Sequence, residues 1–530
     1  MLNKILRAIL PTFLGTCILL VLLEGAFWVL GYPQGTCDFI QRVILQQDLA
    51  FRKPPGQYRV FVYGESTVHG AGYAPTSSPV KWLAAYLKDY LPGRDVKVVN
   101  FGRLGEESDF IAQAFSDTLP YKPDLAVFYL GHNTFYPDNR VDFVEKRESE
   151  FQNRMRRLFR KSRLISFVVR KVIEHKVRRH SQKIEDVMGD PRIETFPVPN
   201  GEGYRTLTVP GSPVYLENVR FFQRNIDRIL KAGEKAHVAV LFMKPVCNLK
   251  DYPPDFSGHL KTLSAGELAR WDQFYRYGRE AAKKKDDLIA IELFEKAAAI
   301  DPTYADLSFE LGRLYFQKGE IEKARSFFEQ ARDHDGVIRR APKDILRVFD
   351  DLAKQEKIYY FDTEKALLPK APGGILGWPV IEDNVHFSIE GQALTGRALA
   401  REIAGHHWIA PRSEWQFDRE RPVSEIAAEL GITPRTIFLN YCAVAGYLEH
   451  RYQERLEFAQ RAFELFPEDP RALRQLAWAY WLLGEKDKAL PIYKHLGQKD
   501  PAALEVVFRA QPAVKQAYES FISLPQTPNK

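Results

Sequence analysis

Five short runs, YRVFVYG (58–64), VKVVNFG (96–102), DLAVFYLG (124–131), HVAVLFMKP (237–245) and KIYYFD (357–362), are nearly continuous in apolar residues. A strand covered on one face alternates apolar and polar side chains, whereas one covered on both faces reads as an unbroken apolar run. Between these runs lie amphipathic stretches such as PVKWLAAYLKDYL (79–91) and ENVRFFQRNIDRILKAG (217–233). Strand and helix in alternation predict a parallel α/β sheet with helices on both faces. Its ligand site belongs at the carboxyl ends of the strands.

Two segments interrupt the alternation, and the later one repeats itself. Gly278 and Gly312, Ala290 and Ala324, Phe294 and Phe328, and Ala297 and Ala331 each stand 34 residues apart, with Pro302 closing the first copy. Near the C-terminus Ala443 and Ala477, Leu456 and Leu490, and Pro467 and Pro501 share that spacing. This is the tetratricopeptide period, and it predicts all-α helical repeats at 265–340 and 430–530. About three such units are usually needed for a stable stack. The inserted pair is therefore expected to pack on the α/β core, on the C-terminal pair or on another protein, and a protein partner is expected.

The earlier interruption, an insertion at about 140–210, contains QNRMRRLFRKSRLISFVVRKVIEHKVRRHSQK (152–183), with twelve Lys/Arg against one Glu. Wound as a helix, it gathers Met155, Leu158, Phe159, Ile165, Val169, Val172, Ile173 and Val177 on one side. Arg156, Arg157, Arg160, Lys171 and Arg178 oppose them. Two readings stand: a solvated helix packed on the core, or a helix lying on anionic lipid headgroups. No nucleic acid is expected, because the aromatic residues form no stacking platform by pattern.

From Ala8 to Tyr32 the only charge is Glu24, a span long enough to cross a hydrocarbon core of roughly 30 Å. Residues 1–35 are read as a transmembrane anchor. A cleaved signal peptide competes, but the run exceeds a typical apolar core and no small-x-small site follows it cleanly. Lys4 and Arg7 precede the span and the next Lys or Arg is Arg42, which places the N-terminus in the cytoplasm and the rest outside. A single-pass protein of the bacterial inner membrane with a periplasmic body is expected. At 530 residues, with 45% hydrophobic and 27% charged residues, the chain is long enough for two to four folded domains. Cys17, Cys37, Cys247 and Cys442 form no CxxC pair or metal-ligand spacing, so no metal or cofactor is indicated; a Cys37 to Cys247 bridge stays open.

The first strand breaks into Gly64, Glu65, Ser66. A serine nucleophile requires a base, a group to orient the base and donors for the oxyanion. After the second strand, RLGEES places Gly105 where a bare backbone N–H can approach a substrate oxygen, with Gly102 as the second choice. After the third, GHNTFY supplies the Asn133 amide. Far downstream, EDNVHFS supplies Asp383 and His386, three residues apart and suited to act as orienting carboxylate and base. His69 and His132 have no comparable support and are read as structural or pocket-lining.

GEST (64–67), NFGRLG ending in Gly105, GHN (131–133) and DNVH (383–386) resemble the four blocks of the GDSL/SGNH hydrolases, in the same order. The resemblance covers about 36–250 and 351–410 and implies a flavodoxin-like three-layer α/β/α core. It implies Ser66 as nucleophile, Gly105 and Asn133 as oxyanion donors, His386 as base and Asp383 as third member of the triad. The chain departs from the family at Glu65, where Asp is usual, and at His132 and Thr134. Those changes are expected to affect substrate choice or the support of Asn133. With repeats and an N-terminal span, the chain looks like a subgroup of large bacterial membrane-attached members. The implied activity is hydrolysis of an acyl ester on a surface glycan or lipid. A polysaccharide O-acetyltransferase would use the same residues, and a silent repeat scaffold is the non-enzyme alternative.

Overall fold

A computed structural model describes residues 18–23, 25–26, 38–135, 208–448 and 451–523. The basic helix at 152–183 and most of the expected N-terminal span lie outside the described residues. Residues 18–23 and 25–26 are helical, and among the described residues no helix is long and apolar enough to cross a membrane. The chain divides into two compact units. The larger holds the described residues up to Ala71 and from Ser78 to Glu420; the smaller holds Gly72–Ser77 and the chain from Arg421.

The larger unit opens with α1 (Asp38–Gln46), β1 (Tyr58–Gly64), α2 (Ser66–His69), α3 (Pro79–Tyr90), β2 (Val96–Gly102), α4 (Ser108–Thr118) and β3 (Leu125–Tyr129). It continues with α5 (Pro213–Ala236), β4 (Ala239–Met243), α6 (Ala265–Lys283), α7 (Asp287–Ile300), α8 (Ala305–Gln317), α9 (Ile321–Asp333), α10 (Lys343–Lys354), β5 (Tyr359–Phe361), α11 (Thr363–Leu367) and α12 (Ile389–Gly405). The strands form one parallel sheet in the order β2-β1-β3-β4-β5, a flavodoxin-like arrangement.

Register lines up one aromatic ring per strand. Tyr63 pairs with Phe101 and Phe128, and Phe128 with Phe242. The Tyr63 ring stacks between Phe101 at 5.1 Å and Phe128 at 5.0 Å, and Phe242 follows at 5.3 Å. This ladder packs against Phe115 of α4, Phe222 and Ile226 of α5 and Phe349 of α10. On the other face Val62, Tyr129 and Met243 meet Leu83 of α3 and Leu399 of α12. Both faces are therefore covered, as the unbroken apolar runs require. The KIYYFD run departs from that expectation. It yields only a three-residue strand at the sheet edge, and Tyr359 is 45% exposed because no strand lies beyond it.

Helices α6 to α9 form the inserted pair. A Cβ on Gly278 would come within 2.6 Å of the Phe294 ring, and one on Gly312 within 2.7 Å of Phe328, so both copies make the same close approach. Ala290, Phe294 and Ala297 are buried, as are Ala324, Phe328 and Ala331. Their seam is continuous with Cys247, Leu249, Ile375 and Val385 of the α/β core. Of the packing partners the sequence allowed, the α/β core is one this seam meets. Cys247 is a free, buried thiol, and Cys37 lies outside the described residues.

The smaller unit carries α13 (Val423–Glu429), α14 (Pro434–Tyr447), α15 (Tyr452–Leu465), α16 (Pro470–Leu482), α17 (Lys486–Lys499), α18 (Pro501–Ala510) and α19 (Pro512–Ser523). The 34-residue relation holds at Phe438 and Ala472 and at Ala445 and Ala479, all fully buried. Ala443 is exposed although Ala477 is buried. A period fixes spacing along the chain without fixing which helix face meets a neighbour.

Because the Phe328 ring occupies the space a methyl group would need, Gly312→Ala is expected to overpack the seam. The expected loss of unfolding free energy is about 1–3 kcal/mol, checked by urea titration beside the exposed control Gly266→Ala.

Candidate active site

β1 ends at Gly64, and the chain turns at once into α2, whose first residue is Ser66. A Cβ on Gly64 would lie 2.3 Å from both the Tyr129 carbonyl oxygen and Val68 Cγ2, so only glycine allows so tight a turn beside β3. Asn100 of β2 fixes the turn from the other side. Its Nδ2 donates to the Val68 carbonyl at 2.8 Å, and its Oδ1 accepts the Gly102 N–H at 2.8 Å. That bond commits Gly102, the second choice for an oxyanion donor, to a structural task. Gly105 has a φ of +69°, with open space where a side chain would stand.

The Asp383 and His386 pair comes from a tight loop closed by an antiparallel bridge between Ile381 and Phe387. His386 Nε2 lies 2.7 Å from Ser66 Oγ, and its Nδ1 lies 2.5 Å from Asp383 Oδ2. The other Asp383 oxygen accepts the N–H groups of Val385 at 2.9 Å and His386 at 2.8 Å. Ser388 caps the following helix, with its Oγ accepting the Gly391 N–H, which leaves Asp383 to the histidine. Thr67 Oγ1 donates to the Val385 carbonyl at 3.3 Å and ties α2 to this loop.

Asn133 stands on the loop after β3, and Glu65 holds that loop. The buried Glu65 carboxylate accepts the N–H groups of Gly131 at 2.9 Å, His132 at 3.0 Å and Asn133 at 3.2 Å. Asn133 Nδ2 donates to the Glu106 carbonyl at 2.9 Å, which turns the amide toward the segment following Gly105. Thr134, where the family usually has an acid, donates its hydroxyl to the Gly131 carbonyl at 2.9 Å and closes the loop on itself. The departures at Glu65 and Thr134 thus both bear on the support of Asn133.

Burial opposes charge on His386, but the Asp383 carboxylate outweighs it, helped by Glu382 and Glu65, and the imidazole pKa rises above its ordinary value. For Asp383, burial is likewise outweighed by the His386 charge and hydrogen bonds, and its pKa falls. Burial pushes Glu65 up to about 7 against the pull of its three N–H donors. His132 is lowered to about 3 by burial and by His386, and so is neutral. Its Nδ1 accepts the Ala341 N–H at 3.1 Å, and its Nε2 lies 3.3 Å from the Tyr129 hydroxyl. This agrees with the structural reading of His132, while its partner Ala341, 209 residues away, carried no sequence signal. Burial and His386 also lower His69, the last residue of α2.

The structure therefore gathers Ser66, His386 and Asp383 into one hydrogen-bond chain and sets Asn133 on a loop fixed by the residue beside Ser66. Such a chain can carry a proton from a hydroxyl to an imidazole held in one tautomer.

Residues 290–337 and 451–503 each match a family model described as tetratricopeptide repeat, and these segments are such repeats. Similar solved structures include a GDSL-like lipase from Bacteroides thetaiotaomicron, with 10% identity, 69% of this chain and 98% of that chain covered, and a TM-score of 0.31. A lipase/acylhydrolase from Enterococcus faecalis matches at 14% identity over 66% of this chain and 96% of that one, with a TM-score of 0.28. An acetylxylan esterase from Geobacillus stearothermophilus matches at 13% identity over 66% and 95%, with a TM-score of 0.28. These scores are too low to bear on fold or chemistry, which rest on the strand order and the hydrogen bonds above.

Removing the Glu65 carboxylate strands the buried Gly131 and His132 N–H groups and the half-buried one of Asn133, at about 1–3 kcal/mol for each buried group. Glu65→Ala is expected to lower the unfolding free energy by about 3 kcal/mol or more in urea titration. Glu65→Gln, which keeps one acceptor oxygen, is expected to cost less.

Proposed function

We propose that the larger unit is a serine-type acyl-ester hydrolase, and the observation that carries this reading is the continuous Ser66, His386, Asp383 hydrogen-bond chain at the carboxyl end of β1. Ser66 Oγ attacks the ester carbonyl carbon while His386 Nε2 takes its proton. The charge that develops on the carbonyl oxygen is met by the Ser66 and Gly105 amides and the Asn133 side chain, a class of donor worth about 3–4 kcal/mol each. Collapse expels the alcohol, which leaves with the proton from His386. Water then attacks the acyl-enzyme with His386 as base, releasing the carboxylic acid and restoring Ser66.

The apolar run from Ala8 to Tyr32 and the cations Lys4 and Arg7 support an N-terminal anchor with the catalytic unit outside the bacterial inner membrane. In that setting the substrate class is an ester on a surface glycan or lipid. The basic stretch at 152–183 offers a helix for anionic headgroups, and the repeats offer surfaces for a protein partner.

A fluorophosphonate probe is expected to label the folded wild-type chain and to leave Ser66→Ala and His386→Ala unlabelled; an unlabelled wild type would instead favour the silent scaffold. The base must be neutral to accept a proton, and its pKa is raised, so kcat/KM for a soluble aryl acetate is expected to climb with pH. The midpoint should lie above the ordinary histidine value of about 6.5. Asp383→Asn removes the group that raises His386; it is expected to lower that midpoint and to cut kcat by about 10³–10⁴-fold.

A further inference from the structure

A recess of about 340 Å³ opens where the chain leaves β4, between that segment and helices α9 and α10. None of Ser66, Asn133, Asp383 or His386 lines it. Its volume is near the lower end of the roughly 300–1,000 Å³ typical of small-molecule sites, generous for a bare inorganic anion and suited to a single sugar ring.

Charge sets the recess apart. Lys343, Arg347 and Lys354 lie at i, i+4 and i+11 on α10, one stripe along the rim. Like charges a helix turn apart repel; Arg347 is paired with Asp344 at 3.2 Å, whereas among the described residues neither Lys343 nor Lys354 has a carboxylate within ion-pair distance. Deeper in, Arg332 is only 8% exposed. Its Nε donates to Asp333 Oδ1 at 2.8 Å, and its two terminal nitrogens have no acceptor among the described residues. Four of its five N–H groups are thus left to face the recess, available to an acceptor that enters it.

The acids in the recess are already engaged or weakened. Glu364 takes Lys244 and Arg325 at 2.7 Å each, and Asp350 accepts the Tyr360 hydroxyl at 3.2 Å. Burial holds Glu329 above the usual carboxylate range, against the pull of Arg332 and Arg325. Cationic groups thus predominate, with Glu329 and Asp350 left as acceptors for hydroxyl groups.

From this lining we propose that the recess binds an anionic sugar, its phosphate or carboxylate met by Arg332 and the α10 cations and its hydroxyls by Glu329 and Asp350. The site is independent of the ester chemistry at Ser66. Calorimetric titration of the full-length chain in detergent would use glucose 6-phosphate, glucuronate, glucose and inorganic phosphate as probes. Both anionic sugars are expected to bind, with glucose and phosphate at least about tenfold weaker. Lys343→Glu with Lys354→Glu, both at exposed positions, is expected to weaken binding by at least about tenfold, whereas Ser66→Ala leaves it unchanged. The proposal is overturned if neither anionic sugar binds at about 10 mM, if phosphate binds as well as they do, or if the double substitution has no effect. Loss of binding in Ser66→Ala would also overturn it, by assigning the sugars to the ester site.

Discussion

One Asp383 oxygen accepts the backbone N–H groups of Val385 and His386, and the other holds His386 Nδ1. A single carboxylate therefore shapes the loop and orients the ring that the loop carries. Burial alone would push such an acid toward its neutral form, and the neighbouring imidazole and N–H groups reverse that tendency. Neutralising Asp383 would loosen the loop and free the imidazole tautomer in one step, so geometry and basicity at His386 have a common origin.

Around that point the loops are tied to one another more than to the sheet. Glu65 gathers three successive N–H groups after β3, Asn133 reaches the Glu106 carbonyl, and Thr67 reaches Val385. Only the Glu65 bonds can be charge-assisted, when its carboxyl is ionised; the other two join neutral partners. The stacked rings of Tyr63, Phe101, Phe128 and Phe242 lie beneath, making the strand ends a rigid platform for these ties.

The parallel sheet was legible because burial on both faces leaves an unbroken apolar signature; KIYYFD also gave a strand of that sheet, though a shorter and less covered one at its edge. Ser66 and the Asp383, His386 pair were legible because their spacing is local and their chemistry demands those residue types. That the Gly102 N–H is engaged by the Asn100 side chain had no sequence signal. His132 was read as structural or pocket-lining, but its partner was opaque because it arrives 209 residues later. The 34-residue repeat was plain, while the partner of its seam depended on Leu249 and Val385, which no period marks.

Val385 sits in that seam and also lies between Asp383 and His386. Nucleophile and base are 320 residues apart, with the repeat pair between them. At synthesis rates of roughly 5–20 residues per second, Ser66 precedes its base by some tens of seconds. Throughout that interval the nascent chain has a serine and no means of activating it. The repeats emerge before the loop bearing Val385, which shares their buried seam with Leu249. A chain truncated anywhere before the repeats end therefore lacks His386, so the hydrogen-bond chain to Ser66 can close only in a molecule whose synthesis has passed the inserted pair.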